Sequence, residues 1–415
     1  MGGLKSPWIT QAVCMKEKDI LQEAKNLQEE LTAHRRYLHE HAETGVDLPK
    51  TTAYIQAQLK EMGYIPQKCG KAGIVVTVGK KKGKVFLLRA DMDGLPIREK
   101  TDKKFACKYG NMHACGHDLH AAMLLGAARI LKARERDLNG QIKLLFQPAE
   151  EILEGAKDVV ASGVLQNPKV DGAMMIHVLT GLPLPTGTLI VSSAGVSAPA
   201  ADYFTVRVQG KSCHGSAPWN GVDALSAGAH ILLALQEISA REISVAYPAV
   251  LTVGSFKTQE AGNVISDFAE LNGTLRSFDE DVRAQIKTRL EEIAKSVAKA
   301  FRAKAKISYG GGCPSLWNNE KLSALAESSL KTLFGEKKVF TSAALGGDTR
   351  AKSGGSEDFA YISRETPSVM LALAAGEPKK GYVYPLHHAQ TDFDESVLPV
   401  GAAAYAYIAT EFLNE

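Results

Sequence analysis

Between residues 16 and 41, in KEKDILQEAKNLQEELTAHRRYLHEH, apolar residues recur every three or four positions among charged ones, which predicts an amphipathic helix. A turn at ETGVDLP (43–49) separates it from a second helix over KTTAYIQAQLKEMGY (50–64). The rhythm then changes to short apolar runs that read as strands: GIVVTV (73–78), KVFLLRADMD (84–93), IKLLFQPAEE (142–151) and GAMMIHV (172–178). Helical stretches separate the last three. Alternating strands and helices predict an α/β fold, a mostly parallel twisted sheet flanked by helices.

Near residue 195 the texture shifts to the small, turn-rich SSAGVSAPAA (192–201). A strand, a helix, two strands, a helix and a strand follow, ending at KAKISYG (304–310), which predicts an inserted α+β module. The α/β texture returns afterwards, with a helix over 319–334, a strand at PSVMLALAAG (367–376) and a closing helix. The expected division is one domain from 1–195 with 310–415, and an insertion over 196–309.

A chain of 415 residues exceeds what one core usually organises, in agreement with two domains. The formal charge of +3 gives no reason to expect nucleic acid or a membrane surface as partner. The apolar runs are short and interrupted, so no membrane span is expected. MGGLKS matches the loose myristoylation pattern at Gly2 and Ser6, a six-residue match that arises easily by chance. Six scattered cysteines without a CxxC pair suit a reducing cytoplasm.

The chemistry concentrates at strand ends. The runs 84–93, 142–151 and 172–178 finish on Asp91 and Asp93, on Glu150 and Glu151, and on His177. In open α/β sheets ligands bind at the carboxyl ends of strands. MHACGHDLH (112–120) adds Cys115 and His117 at the entry to an apolar helix, with His113 and His120 read as supporting or structural. Thiolate and imidazole are good ligands for borderline-soft divalent ions, and a thiolate can bridge two of them. A two-metal hydrolytic site is therefore expected from Cys115, His117, Glu151, His177 and one of His387 and His388, in which one of the adjacent carboxylates ligates and the other serves a water. Asp93 is expected to hydrogen-bond a ligating imidazole and fix its tautomer.

RRYLHEHAETG (35–45), LRADMDGLPI (88–97), MHACGHDLH, FQPAEE (146–151), MMIHV (174–178), GKSCHGSAP (210–218), GNVISDFAELNGTLRSFD (262–279), GGSEDFAY (354–361) and LHHAQTDFDE (386–395) span nearly the whole chain. In these motifs it resembles the metallohydrolase family of aminoacylases and zinc carboxypeptidases. It is most similar to the branch of hippurate hydrolase, N-acyl-amino-acid amidohydrolases and indole-acetyl-amino-acid hydrolases. The resemblance implies metal ligands Cys115, His117, Glu151, His177 and His387, and Glu150 as general acid and base. It implies two divalent ions per subunit, Mn²⁺ or Zn²⁺, with Co²⁺ and Ni²⁺ as further candidates. The insertion would be a lid that pairs subunits into a homodimer or a higher homo-oligomer. Within it, His214 would stabilise the oxyanion, and Asn263 and Arg276 would hold the substrate, an N-acyl amino acid. In one departure, the lid motif usually ends in Pro-His and here reads Pro218-Trp219.

Three other readings share these residues. A dipeptidase or carboxypeptidase would use the same two-metal site. A thiol enzyme would use Cys115 as nucleophile and His117 as base. A closed structural metal site would have no use for the spare carboxylate of Glu150.

Overall fold

The computed structural model describes residues 19–80, 82–259, 261–346 and 355–415; the MGGLKS pattern lies outside them. The chain divides into two compact units: Met1–Ser197 with Trp317–Lys352 and Tyr361–Glu415, and Ala198–Leu316 with Ser353–Ala360.

In the first unit, helices α1 (Gln28–Glu40) and α2 (Pro49–Glu61) precede strands β1 (Gln67–Cys69), β2 (Gly73–Val78) and β3 (Val85–Asp91). Helix α3 (His117–Ala133), strand β4 (Gln141–Gln147), helix α4 (Gly155–Ala161) and strands β5 (Gly172–Leu179) and β6 (Leu189–Val191) follow. Pro49 opens α2, where its missing N–H costs nothing. All seven residues of β3 are buried, as expected for a central strand covered on both faces.

The second unit holds β7 (Ala200–Gln209), β8 (Cys213–His214), α5 (Ala224–Glu237), β9 (Ala249–Thr258), β10 (Val264–Ile265), β11 (Phe268–Ser277), α6 (Glu280–Ala300) and β12 (Lys304–Cys313). Its antiparallel sheet runs β9-β11-β7-β12. Asp223 caps α5 through the N–H groups of Leu225 and Ser226, and Asp279 caps α6 through those of Asp281 and Val282. On α6, Val282, Ile286, Leu290, Ala294 and Ala298 form an i,i+4 stripe that is buried with Phe204, Val206 and Leu271 of the sheet. This unit reaches past residue 309 because β12 pairs with β7 along most of its length, as far as Cys313 opposite Ala201. It also takes in Ser356, whose hydroxyl accepts from Arg276 Nη1 at 2.5 Å.

The chain returns to the first unit with α7 (Glu320–Phe334), β13 (Val339–Thr341), β14 (Ser368–Ala374) and α8 (Leu398–Asn414). The first unit's sheet has eight strands in the order β1-β2-β4-β3-β5-β14-β6-β13. The four central strands, β4, β3, β5 and β14, are all parallel. Three of the seven pairings are antiparallel: β1 with β2, β2 with β4, and β14 with β6. Because β4, β3 and β5 are adjacent and parallel, their carboxyl ends share one edge. Helix α3 is buried almost throughout. A Cβ on Gly126 would stand 2.8 Å from Leu31 of α1 and 2.9 Å from Ala402 of α8, so glycine is what allows the three helices to approach. The apolar segment Glu395–Asn414, 20 residues long, is 78% buried over its most apolar window, as befits a core helix.

Candidate metal centre

Three residues in left-handed backbone shape the site. Gly116 (φ +84) lies between Cys115 and His117, and a Cβ there would stand 2.3 Å from Val178 Cγ2. Ala149 (φ +60) precedes Glu150, and His387 itself has φ +64. Non-glycine residues hold this conformation only where their surroundings impose it, and such strain clusters at functional sites. His387 is held by its N–H, which donates to Ala114 O at 3.0 Å.

Cys115 Sγ is the hub. It stands 3.5 Å from His177 Nε2 and 3.2 Å from His387 Nε2. Glu151 Oε1 lies 3.6 Å from His387 Nε2 and 3.8 Å from His117 Nε2. Two ligands of one tetrahedral ion, each about 2.0–2.3 Å from it, stand roughly 3.3–3.7 Å apart, so these spacings suit shared coordination. The donor atoms form two triads, Cys115–His117–His177 and Cys115–Glu151–His387, that meet at the sulfur.

The hydrogen bonds choose which ring nitrogens face the centre. His117 Nδ1 donates to Asp93 O at 2.8 Å, and His177 Nδ1 donates to Val178 O at 2.7 Å. A carbonyl only accepts, so each neutral ring carries its proton on Nδ1 and offers the Nε2 lone pair to a metal. His117 Nε2 and Glu151 Oε1 are buried and make no hydrogen bond among the described residues. Unpaired buried polar atoms are costly, and a cation held between them removes that cost. The chemistry of the donor set therefore fits divalent ions.

His120 is excluded as a ligand by the same bookkeeping of protons. Its Nδ1 is 2.5 Å from Asp91 Oδ1, and its Nε2 accepts from Val178 N–H at 2.8 Å. Burial outweighs Asp91 and pulls its pKa down to about 4, so the ring is neutral. His388 also turns elsewhere: its Nδ1 accepts from Gln390 N–H, and its ring stacks on Tyr384 at 4.5 Å.

Asp93 acts by a different atom from the one expected. Its backbone carbonyl orients His117, while its carboxylate accepts from the N–H groups of Glu150 (3.0 Å) and Glu151 (3.2 Å) and lies 3.6 Å from His117 Nδ1. The side chain thus fixes the turn that presents both glutamates.

Burial and the neighbouring acids shape the charges. Burial first, then the charges of Asp93 and Asp91 against the pull of His117, push Glu151 up to about 7. Burial opposes charge on His117, yet Asp91 leads the groups that hold its pKa well above the ordinary value. Both directions express a demand for positive charge that a divalent ion meets. Burial also pushes the Cys115 thiol up, so a bare Cys115 is a poor nucleophile, which weighs against the thiol-enzyme reading.

Sequence reasoning passed over two supports. Arg89 binds Asp91 Oδ2 (2.6 Å) and Gln147 Oε1 (2.9 Å), all three fully buried beneath the centre. Asp118, beside His117, accepts on Oδ2 from Arg35 Nε and His39 Nδ1, each at 2.8 Å. Arg35 continues to Glu395 Oε1 (3.0 Å) and His39 to Glu99 Oε2 (3.1 Å). The available signal was the i,i+4 spacing of Arg35 and His39 on a face that also carries Leu31 and Leu38.

The other expected residues lie in the second unit. His214 Nδ1 accepts from Ser216 N–H (3.1 Å) and sits 2.7 Å from Ser216 Oγ. Since Nδ1 is an acceptor, the neutral ring carries its proton on Nε2 and is a donor there. Asn263 is exposed, and its carbonyl accepts from Gly215 N–H at 2.7 Å. Arg276 on β11 reaches Ser356, with its guanidinium 6.0 Å from the centre of the Tyr203 ring.

Residues 87–411 match the family described as Peptidase family M20/M25/M40. The chain belongs to that family. The M20 chain is 37% identical over 344 residues to N-acetyl-L-cysteine deacetylase of Bacillus subtilis, covering 82% of this chain and 79% of that one. It is 33% identical over 411 residues to thermostable carboxypeptidase 1 of Saccharolobus solfataricus, covering 96% and 100%. The crystal structure of the Bacillus subtilis YXEP protein, described as a dinuclear metal binding peptidase from the M20 family, aligns with TM-score 0.75 at 29% identity, over 94% of this chain and 99% of that one. The M20 chain is thus a hydrolase, with acyl-amino-acid hydrolases and carboxypeptidases among its relatives and a dinuclear metal protein among its structural neighbours.

Proposed function

We propose that this protein hydrolyses the amide bond of N-acyl amino acids, releasing a carboxylic acid and a free amino acid. The observation that carries the reading is the pair of donor triads sharing Cys115 Sγ, with Glu150 next in sequence to the ligand Glu151. Cys115, His117, Glu151, His177 and His387 would hold two divalent ions, Mn²⁺ or Zn²⁺. When bound, the ions supply a water of lowered pKa and polarise the amide carbonyl.

The remaining work falls to the chain itself. Glu150, 6% exposed, takes the proton of the attacking water and returns it to the leaving amine. Asp93 keeps Glu150 and Glu151 aimed through their own N–H groups. His214 donates from Nε2 to the carbonyl oxygen as it gains charge. Arg276 pairs the free carboxylate of the amino-acid half, and Asn263 holds the same substrate. The second unit serves as lid and as the dimer contact. A reducing cytoplasm suits this reading, because Cys115 serves only as a thiolate and the cysteines at 69, 107, 115, 213 and 313 are all free.

The carboxypeptidase among the relatives motivates one alternative, cleavage of peptides at the same centre. A single assay decides between them. Protein reconstituted with Mn²⁺ is offered N-acetyl, N-benzoyl and N-arylacetyl amino acids beside unblocked dipeptides. Hydrolysis of the acylated set, abolished by EDTA, restored by Mn²⁺ and surviving iodoacetamide, supports the proposal. Turnover confined to dipeptides transfers the site to the alternative, and activity that survives EDTA removes the two-metal reading.

A further inference from the structure

Strands β3 and β5 separate before they end. Their parallel ladder runs from Phe86–Gly172 to Arg89–Met175 and stops there. On their other sides both strands stay paired, β3 with β4 as far as Asp91–Gln147 and β5 with β14 as far as Leu179–Ala374. The break is confined to the seam between them, at the carboxyl ends that carry Asp91 and His177.

Two side chains bridge that seam. The hydroxyl of Tyr405, from α8, donates to Arg89 O (2.8 Å) and accepts from Ile176 N–H (2.9 Å), so it stands where a direct bond between the strands would run. One rung further on, Val178 N–H donates to His120 Nε2 at 2.8 Å, and His120 Nδ1 meets Asp91 Oδ1 at 2.5 Å. Arg89 holds the second oxygen of Asp91 at 2.6 Å, and Tyr405, His120, Asp91 and Arg89 are all fully buried. Paired strands lie about 4.8 Å apart, too close to admit an imidazole with a hydrogen bond at each end. The ring of His120 therefore sets how far the seam opens.

Each side of the seam governs a different proposed ligand. Beyond β3 the chain continues to Asp93, whose carbonyl orients His117. On β5, Val178 is held through its N–H by His120 and orients His177 through its carbonyl, which accepts from His177 Nδ1 at 2.7 Å. The centre of the His120 ring lies 5.3 Å from that of His117 and 4.7 Å from that of His177.

We propose that His120 is a positioning residue, a spacer between the ends of β3 and β5 that sets His117 and His177 at the separation one divalent ion requires. The inference rests on the two-metal reading above and is independent of the substrate. It also makes His120 specific to one ion, because His117 and His177 share a triad with Cys115, whereas Glu151 and His387 complete the other.

The test titrates chelator-treated, full-length protein with Mn²⁺ by calorimetry, with melting temperatures alongside, for wild type, His120→Ala, His120→Gln, His120→Asn and Tyr405→Phe. Gln places an amide oxygen near the position of Nε2 and can still accept from Val178. Asn reaches only the position of Nδ1 and can serve only Asp91. Wild type is expected to bind two ions. In His120→Ala one ion is expected to weaken by about 10–100-fold, the loss typical when a group that orients a ligand is removed, while the other keeps its Kd. His120→Gln is expected to recover most of that affinity and His120→Asn none of it. Tyr405→Phe breaks the neighbouring rung, which touches neither Asp91 nor Val178, and is expected to lower the melting temperature with both Kd values unchanged. Wild-type Kd values in His120→Ala overturn the inference, as do equal loss of both ions and rescue by Asn in place of Gln. The same weakening in Tyr405→Phe shows that any loosening of the seam suffices and also overturns it. Should His120→Ala fail to fold, the Gln and Asn variants decide. A wild type that takes up fewer than two Mn²⁺ removes the two-metal reading, and this inference with it.

Discussion

His117 gives its Nδ1 proton to the backbone carbonyl of Asp93 at 2.8 Å, and this bond fixes which face of the ring meets the metal centre. The residue that orients the imidazole also aims the two glutamates, through the other end of the same amino acid. The proposed ligand His117 and the proposed general base Glu150 are thereby positioned by one residue, through its carbonyl and its side chain.

Asp93→Ala keeps the carbonyl and removes the carboxylate. The N–H groups of Glu150 and Glu151 then lose their acceptor, and the turn behind Ala149 loosens. Loss of a group that orients ligands typically costs 10–100-fold in metal affinity. Calorimetric Mn²⁺ titration of the apo protein is expected to show a weakening of about that size, and an unchanged Kd would remove the aiming role.

Glu150→Gln keeps the shape of the side chain and removes the base. The variant is expected to bind Mn²⁺ with wild-type stoichiometry and to lose about 10²–10⁴-fold in kcat. Full turnover in this variant defeats the assignment of Glu150.

Gly116→Ala tests the turn between the two proposed ligands Cys115 and His117. Its φ of +84 is strained for alanine, and the new Cβ meets Val178 at 2.3 Å and Phe393 at 3.1 Å. Either Cys115 or His117 must then shift. A fall in melting temperature together with weaker Mn²⁺ binding is expected, and wild-type values for both would show that the turn has slack.

His39 gives a signed pH dependence. Burial opposes its charge, but its bonds to Asp118 and Glu99 prevail over burial and over the nearby charge of Arg35, and raise its pKa above 6.5. A raised folded-state pKa means that the stabilisation is complete below about pH 6.5 and drains away as pH rises through the folded value. Urea unfolding of wild type against His39→Gln is expected to show a constant stability gap below about pH 6.5 that narrows at higher pH. A gap that widens with pH contradicts a protonated His39.

Much of this protein follows from local pattern. Period-two and uninterrupted apolar runs set the strands, and acids or imidazole at the ends of three of them mark the functional edge before any fold is drawn. The residue types of 112–120 announce metal chemistry, because few other uses gather thiol and imidazole at a helix entry. Chain folding decided what pattern leaves degenerate. His387 and His388 are adjacent and chemically alike; packing separates them, with His387 Nε2 3.2 Å from Cys115 Sγ and the ring of His388 stacked on Tyr384. Asp91 and Asp93 sit two apart on one strand end, yet the first supports His120 and Arg89 while the second aims Glu150 and Glu151. Nothing in the pattern of the first helix ties Arg35 and His39 to Asp118; their shared bond to it arises only when the helices pack. Sequence spacing registers which residues share a face of one element; a proton's address depends on which atom of another element lies within about 3 Å, and that distance exists only in the packed chain.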